Sequence, residues 1–310
     1  MTVVEHFHRY VANGHATSSA VIGPDNLPYP ARFIADPFIR RDPRDETLHL
    51  FCEALVTPAD KRIVHFTSSN AVDWTFAGDV ISENGVSFPS VHIDDHGDFV
   101  LAPQFGDPIA GELMPYHLSP EGKATARWSL SLGDRARDKL VITHPDTSID
   151  YVLFGGRERW GQCLKMAQLS ARVTSLSAPV ITSRSSINER SLIKMIAHKA
   201  LRPKRLANRP AGDVLENSAD EFTVPIQAAH RGDVYGEMIA LTTIGWRDLK
   251  VRRIKYVAAT TVSPDFARIH HVSHTVTSSG PVFVIDAIGK GLPGDAWRVH
   301  VITCFGERAG

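Results

Sequence analysis

The sequence is poor in cysteine and has no long apolar run, and each shortage removes a class of protein. Its three cysteines, Cys52, Cys163 and Cys304, are scattered and odd in number. That pattern argues for a reducing compartment and against a disulfide frame. No CxxC pair or histidine–cysteine ladder has the spacing of a zinc site. No window approaches the run of about 18 apolar residues that a spanning helix needs. The stretch Met1 to Tyr10 carries Glu5, His6, His8 and Arg9 and lacks the apolar core of a signal peptide. Charge of one sign is not in excess either. The 34 basic and 34 acidic residues cancel, which gives no bulk reason to expect nucleic acid or an acidic membrane as partner. Gly289-Lys290-Gly291 is too short, and in the wrong context, for a phosphate-binding loop. These absences predict a soluble, cytoplasmic chain with no membrane span; they leave its oligomeric state open.

What the 310 residues do contain is strand. Short runs rich in Val, Ile, Phe, Thr and Tyr are separated by Gly, Pro, Asp, Asn and Ser. The first group reads Ala31–Ile39, Leu48–Leu55, Arg62–Thr67 and Trp74–Ile81. A second takes Ser87–Ile93, Phe99–Phe105, Met114–Leu118 and Ala126–Leu130. The third holds Lys139–Thr143, Asp150–Gly156 and Cys163–Ala167. A fourth holds Gly212–Glu216, Glu221–Gln227 and Glu237–Leu241, and a fifth Arg268–Ser273, Val282–Asp286 and Trp297–Ile302. Five groups of about four strands, repeating every fifty to sixty residues or so, predict a single all-β, five-bladed propeller over residues 1–310. In such a ring each blade covers its neighbours' faces and only short edges remain. One segment departs from the pattern. Residues 184–209 carry Leu192, Ile193, Met195 and Ile196 at helical spacing among eight Lys and Arg. They predict a basic helical insertion between blades three and four, either a solvated face over one end of the ring or a functional element, namely a lid or a patch that meets phosphate or an acidic partner.

The first strand carries an acid and a proline at its centre. Proline cannot donate to a ladder, so the strand lies at an edge or lines an opening. A carboxylate between apolar neighbours, here Asp36, wants a partner. Phe33-Ile34-Ala35-Asp36-Pro37-Phe38, followed by Leu50-Phe51-Cys52-Glu53-Ala54-Leu55, resembles the first blade of five-bladed propellers related to glycoside hydrolase family 43. It is most similar to the N-terminal propeller of plant glucosamine inositolphosphorylceramide transferases and their bacterial homologues. Ser87-Phe88-Pro89 resembles that group's second blade. Arg209-Pro210-Ala211-Gly212, Pro225-Ile226-Gln227 and Tyr235-Gly236 resemble its fourth, and Ile269-His270-His271-Val272-Ser273 with Val284-Ile285-Asp286 its fifth. The resemblance implies three carboxylates at the ring's centre, with Asp36 at the position of the base. The sequence departs from that set. Ser87–Ser90 brings no second acid, and Gln104 stands where those relatives carry Glu; an amide cannot exchange protons.

The catalytic candidates are Asp36, Glu53 and His271. Glu53 on the neighbouring strand either shares the opening with Asp36, with its pKa pushed up, or anchors a blade through a salt bridge. Alternation turns one of His270 and His271 inward, where an imidazole carries protons at neutral pH. The binding candidates are Gln104, Arg157, Arg209, Gln227 and Tyr235, the arginines offering a planar fork for carboxylate or phosphate. His144 and Asp146 are weaker candidates at the same axis, and Trp74, Tyr116 and Trp160 are either core or sugar-stacking residues. No cofactor is expected. The fold leaves room for a central hard cation, which nothing in the spacing demands. The expected ligand is a sugar or sugar-like small molecule. The expected activity is glycosyl hydrolysis or transfer. The alternatives are an elimination, cyclisation or isomerisation on the same scaffold, or a module that binds a glycan or glycolipid head group without chemistry.

Overall fold

The structure, a computed structural model, describes residues 1–304 except 15, 84, 108, 120–121, 134–135, 159–160, 188–203 and 231–235. Blade one takes β2 (Phe33–Arg41), β3 (Leu48–Thr57), β4 (Asp60–Ser68) and β5 (Thr75–Ile81), after the short β1 (Ala20–Ile22). Blade two takes β6 (Ser87–Ile93), β7 (Phe99–Gln104), β9 (Tyr116–Leu118) and β10 (Ala124–Ala126). Within it, β8 (Glu112–Leu113) and β11 (Leu130–Ser131) pair as a separate ribbon. Blade three is β12 (Arg137–Thr143), β13 (Asp150–Glu158), β14 (Gly161–Leu169) and β15 (Ile181–Ser186). Blade four is β16 (Lys204–Pro210), β18 (Glu221–His230), β19 (Met238–Gly245) and β20 (Val251–Ala258), with β17 (Glu216–Asn217) paired to β18. Blade five runs β21 (Phe266–Thr277), β22 (Gly280–Gly289) and β23 (Arg298–Thr303).

The fifth blade's outer strand is β1, which pairs antiparallel with β23 from the other end of the chain. The ring is therefore closed by a strand from near the N-terminus. Behind it, Phe7 and Val11 are wholly buried, and Phe7 meets Phe283 of blade five edge-on at 5.5 Å. Burial follows radius. All eight residues of β19 are buried, whereas the outer strand β15 is largely exposed and the outer strand β20 is half-buried. Middle strands have a blade on each face, and so read as near-continuous apolar runs.

Three sequence expectations need correcting. The basic insertion is not a separate element throughout. Ile181–Ser186 is the outer strand of blade three, and Lys204–Pro210 is the innermost strand of blade four. The helical spacing at Leu192–Ile196 lies outside the described residues. The blade-four inner strand is thus one step upstream of the expected Gly212–Glu216. In blade two, Ala124–Ala126, not Ala126–Leu130, is the outer strand, because Leu130 and Ser131 pair with β8.

At the axis the chain just after the inner strand of blade four meets the inner strand of blade five. Gly212 bridges Val272 in parallel, and Asp213 N–H donates to the Val272 carbonyl at 2.9 Å. Gly212 has φ +140, and a Cβ there would sit 1.8 Å from that carbonyl oxygen. Only glycine allows this approach.

Candidate functional site

Three successive inner strands break their ladders at the same place. The register shifts between Ala35 and Phe38, between Ser87 and Ser90, and between Arg137 and Leu140. The residue inside each break is left-handed: Asp36 at φ 51, Phe88 at φ 44 and Asp138 at φ 50. Asp tolerates that region better than most residues, and a bulge re-aims its side chain. Asp36 and Asp138 therefore occupy equivalent positions in blades one and three.

Around the axis these positions join into a polar ring. Gln104 Oε1 of blade two accepts the Asp138 N–H at 3.1 Å. The Asp138 carboxylate lies 3.3 Å from Arg209 Nε of blade four. Arg209 donates from Nε and Nη2 to Gln227 Oε1 at 3.3 and 3.0 Å. With its oxygen so occupied, Gln227 presents its amide NH₂ to His270 Nε2 of blade five. That makes His270 Nε2 an acceptor and puts its proton on Nδ1, which lies 3.1 Å from Asp36 Oδ1 and 3.4 Å from Asp286 Oδ2. Every blade contributes.

The acids are tuned in opposite directions. Burial alone would raise the Asp36 pKa, but the imidazoles of His270 and His271 beside it outweigh that and hold the carboxyl well below its usual range. Glu53, paired across the ladder with Ala35, is pushed up to about 8 by burial and then by the Asp36 charge, against the pull of Lys61 at 2.6 Å. Burial also raises Asp138, an effect that Arg209 offsets in part. A pair of carboxyls whose environments separate their pKa values is the arrangement that acid–base chemistry uses.

Several expected site residues take other places. Gln104 is a support: its oxygen accepts Asp138 N–H and Lys139 Nζ (2.7 Å), and its NH₂ donates to the carbonyls of Phe105 and Ala110. That fills its hydrogen-bonding capacity from within the protein. Strict alternation turns only one of the histidine pair inward, yet both imidazoles reach Asp36, because the register slips between Ile269 and His271. His270 joins the polar ring. His271 Nδ1 is 3.6 Å from Asp36 Oδ1, but its ring is wholly buried between Phe38 and Phe88, at 4.6 and 5.3 Å. Arg209 and Gln227 come together as expected from the fourth blade. Arg157 lies on β13, its side chain outside the described set, as are Tyr235 and Trp160 entirely. His144 and Asp146 sit in the hairpin after β12, where the Asp146 N–H donates to His144 Nδ1, and His144 packs on Trp246. Trp74 packs on a core cluster, and Tyr116 packs on Phe105.

Asp138, Asp286 and His270 were underused by the sequence reading. The signal for Asp138 was there: Asp138-Lys139-Leu140 repeats the placement of Asp36-Pro37-Phe38 at the same point of the next-but-one blade.

Asp36, His270 and Asp286 bring three ligand atoms within 4.8 Å of one another. They do not suit a hard cation. Such ions take six to eight oxygens, whereas here one of the three atoms is an imidazole nitrogen and both Asp286 oxygens accept backbone N–H groups.

Four residues along the same strands, about 13 Å away at strand rise, lies the other end of the axis. A cavity of about 440 Å³ opens there, lined by Arg40, His92, Thr143, Asp213 and His274, one from each blade. Arg40 of blade one reaches across it to Asp213 of blade four. Wholly buried Phe38, midway between Asp36 and Arg40, lies between the two ends. Among the described residues no helix is long and apolar enough to cross a membrane.

No family model and no curated protein matches the sequence. Solved structures do match. An endo-arabinase from Bacteroides thetaiotaomicron aligns over 93% of this chain and 98% of its own, at 12% identity and a TM-score of 0.63. A thermostable family-43 glycoside hydrolase aligns over 86% and 88%, at 14% identity and 0.55. An exo-β-1,3-galactanase from Phanerochaete chrysosporium, in complex with β-1,3-galactotriose, aligns over 92% of this chain at 16% identity and 0.59; this chain spans 63% of its length. At these identities the likeness is one of fold, and the chain is a five-bladed β-propeller of the architecture found in these glycoside hydrolases.

Proposed function

We propose that the polar ring is the working site of a carbohydrate-active enzyme that carries out glycosyl hydrolysis or transfer by acid–base catalysis, without a cofactor. The observation that carries this reading is the opposed tuning of neighbouring acids: Asp36 held ionised, Glu53 and Asp138 held toward the protonated form. Asp36 is the base that takes a proton from water or an acceptor hydroxyl. Glu53 is the donor to the leaving oxygen, with Asp138 at the equivalent bulge as the other acid in reach of the axis. The burial of His271 between two phenylalanines moves the donor's part away from it. Arg209 and Gln227 bind the sugar, Arg209 being the more open to solvent; Tyr235 remains a proposed binder. The kinship of the fold to an arabinase and a galactanase supports a pentose or hexose glycoside as substrate. A reducing compartment, and so the cytoplasm, fits three cysteines that are scattered and odd in number.

One observation favours a second reading. Blade two brings to the ring not a carboxylate but the amide of Gln104, whose oxygen is taken up by Asp138 N–H and Lys139 Nζ. A propeller lacking that acid suits a binder of glycan or glycolipid head groups, as the resemblance to the inositolphosphorylceramide transferase propellers suggests, or a cyclase, lyase or isomerase. Assay of nitrophenyl arabinosides, galactosides and xylosides, alone and with acceptor sugars, separates the readings. The enzyme reading expects Asp36→Asn to lower turnover by about 10²–10⁴-fold while sugar affinity changes little. No turnover on any glycoside by the unaltered protein, together with sugar binding that survives Asp36→Asn, would sink it in favour of the binder.

A further inference from the structure

Asp286 is wholly buried on β22, and the proposed chemistry gives its charge no task. Its two oxygens are shared between the two blades that meet where the ring closes. Oδ2 accepts the Asp36 N–H at 2.9 Å, and Oδ1 accepts the His271 N–H at 2.6 Å. Both amides stand at breaks in register: Asp36 inside the break of blade one, His271 directly after the extra residue of blade five. A bulge takes an amide out of its ladder, and a buried N–H must find another acceptor. One carboxylate supplies both. Its third contact, 3.4 Å to His270 Nδ1, reaches the imidazole that also meets Asp36 Oδ1. Asp286 thus touches the left-handed backbone of Asp36, the backbone of one histidine and the ring of the other.

We infer that Asp286 is a positioning residue, which anchors the bulges of blades one and five to each other so that the Asp36 carboxylate is aimed at the two imidazoles and the axis. The inference deepens, and rests on, the reading of Asp36 as the working base. The rival role for Asp286 is that of a second charge alone, and the two roles move Asp36 in opposite directions. Like charges disfavour ionisation, so deleting only the Asp286 charge makes Asp36 easier to ionise. Losing the anchor withdraws Asp36 from the histidines that hold its pKa down, so it becomes harder to ionise.

The test is a carbon-detected NMR titration of the Asp36 carboxyl in the full chain, assigned with Asp36→Asn. Asn has a single oxygen acceptor and an NH₂ group, so Asp286→Asn cannot hold both amides. In that variant Asp36 is expected to titrate about one pH unit or more above its wild-type value, and the amides of Asp36 and His271 to exchange roughly tenfold faster. An unchanged or lowered Asp36 titration overturns the inference. Should Asp286→Asn not fold, Asp286→Glu keeps the charge and moves it by one methylene. A raised Asp36 titration there sustains the anchor, and an unchanged one overturns it. The readout needs no substrate. A raised titration alongside full turnover in Asp36→Asn would therefore overturn the proposed base and leave the anchor standing.

Discussion

Two buried groups near the axis tie stability to pH, with opposite signs. Glu53 has its folded pKa raised to about 8 from 4.5. The native state therefore holds a proton that the unfolded state releases, and stability falls as pH rises from about 4.5 to about 8. Glu53→Gln removes that slope. Urea unfolding at pH 5 and pH 8 should show the variant gaining on the wild type at the higher pH; parallel losses at both values would place Glu53 in an ordinary ionised pair with Lys61. Lys139, wholly buried and bonded to the neutral Gln104, has its pKa lowered by burial from 10.5 to about 7. Between those values the unfolded state binds the extra proton, so stability rises with pH. Lys139→Met should flatten the unfolding free energy between about pH 7 and 10.5, and an unchanged slope would contradict the burial assigned to it. A raised Glu53 pKa beside Asp36 was one of the two readings open from the sequence, whereas the lowered pKa of Lys139 was not legible. Lys139 reads as an ordinary strand residue between an acid and a leucine, and only the fold reveals that its partner is an amide from another blade.

At the scale of the element, the informative unit is the inner strand with its break. Short apolar runs marked most strands, because the middle strand of each blade is covered on both faces and collects Val, Ile, Leu and Phe. The signal failed where that physics does not hold. The outer strand Ile181–Ser186 is largely solvent-exposed and carries Ser and Arg, so it left no apolar mark, and in Val251–Ala258 the apolar residues are broken up by Arg252, Arg253 and Lys255. Lys204–Pro210 was hidden in a run of basic residues. The proline at position 37 correctly announced an edge strand, yet alternation misassigned the histidines, since a bulge adds a residue and resets the count. The close approach of blades four and five gives the sharpest test at this scale. Gly212→Ala puts a methyl group 1.8 Å from the Val272 carbonyl oxygen in a left-handed conformation. It should cost about 4 kcal/mol or more, in the tail of single substitutions. A loss under about 1 kcal/mol, read by urea unfolding, would mean that the two blades do not touch there.

For the whole molecule, the closed ring is what brings the site together. No blade owns it: the acids come from blades one and three, the guanidinium from four, the imidazoles from five, and the amide under Asp138 from two. Closure depends on β1, whose Ile22 is buried with Val299 and Val301. Removing residues 1–24 should leave blade five with three strands and an open edge; the thermal midpoint should drop and the transition lose its cooperativity. An unaltered melting curve would show that the ring does not need this strand. The sequence carried the number of blades and the place of Asp36, both properties of a repeated local pattern. It could not carry the contacts across the axis, which join residues up to 250 positions apart, as between Asp36 and Asp286. The claim that most needs testing is that a sugar sits at this axis against Asp36. The direct measurement is a crystal structure soaked with arabinotriose and galactotriose. Sugar density is expected at the Asp36 end, within hydrogen-bond reach of Asp36 and Arg209, and is expected to be lost in Arg209→Ala. Sugar bound only at the Arg40–Asp213 end, or on an outer face with the Asp36 end closed by side chains, would contradict the claim.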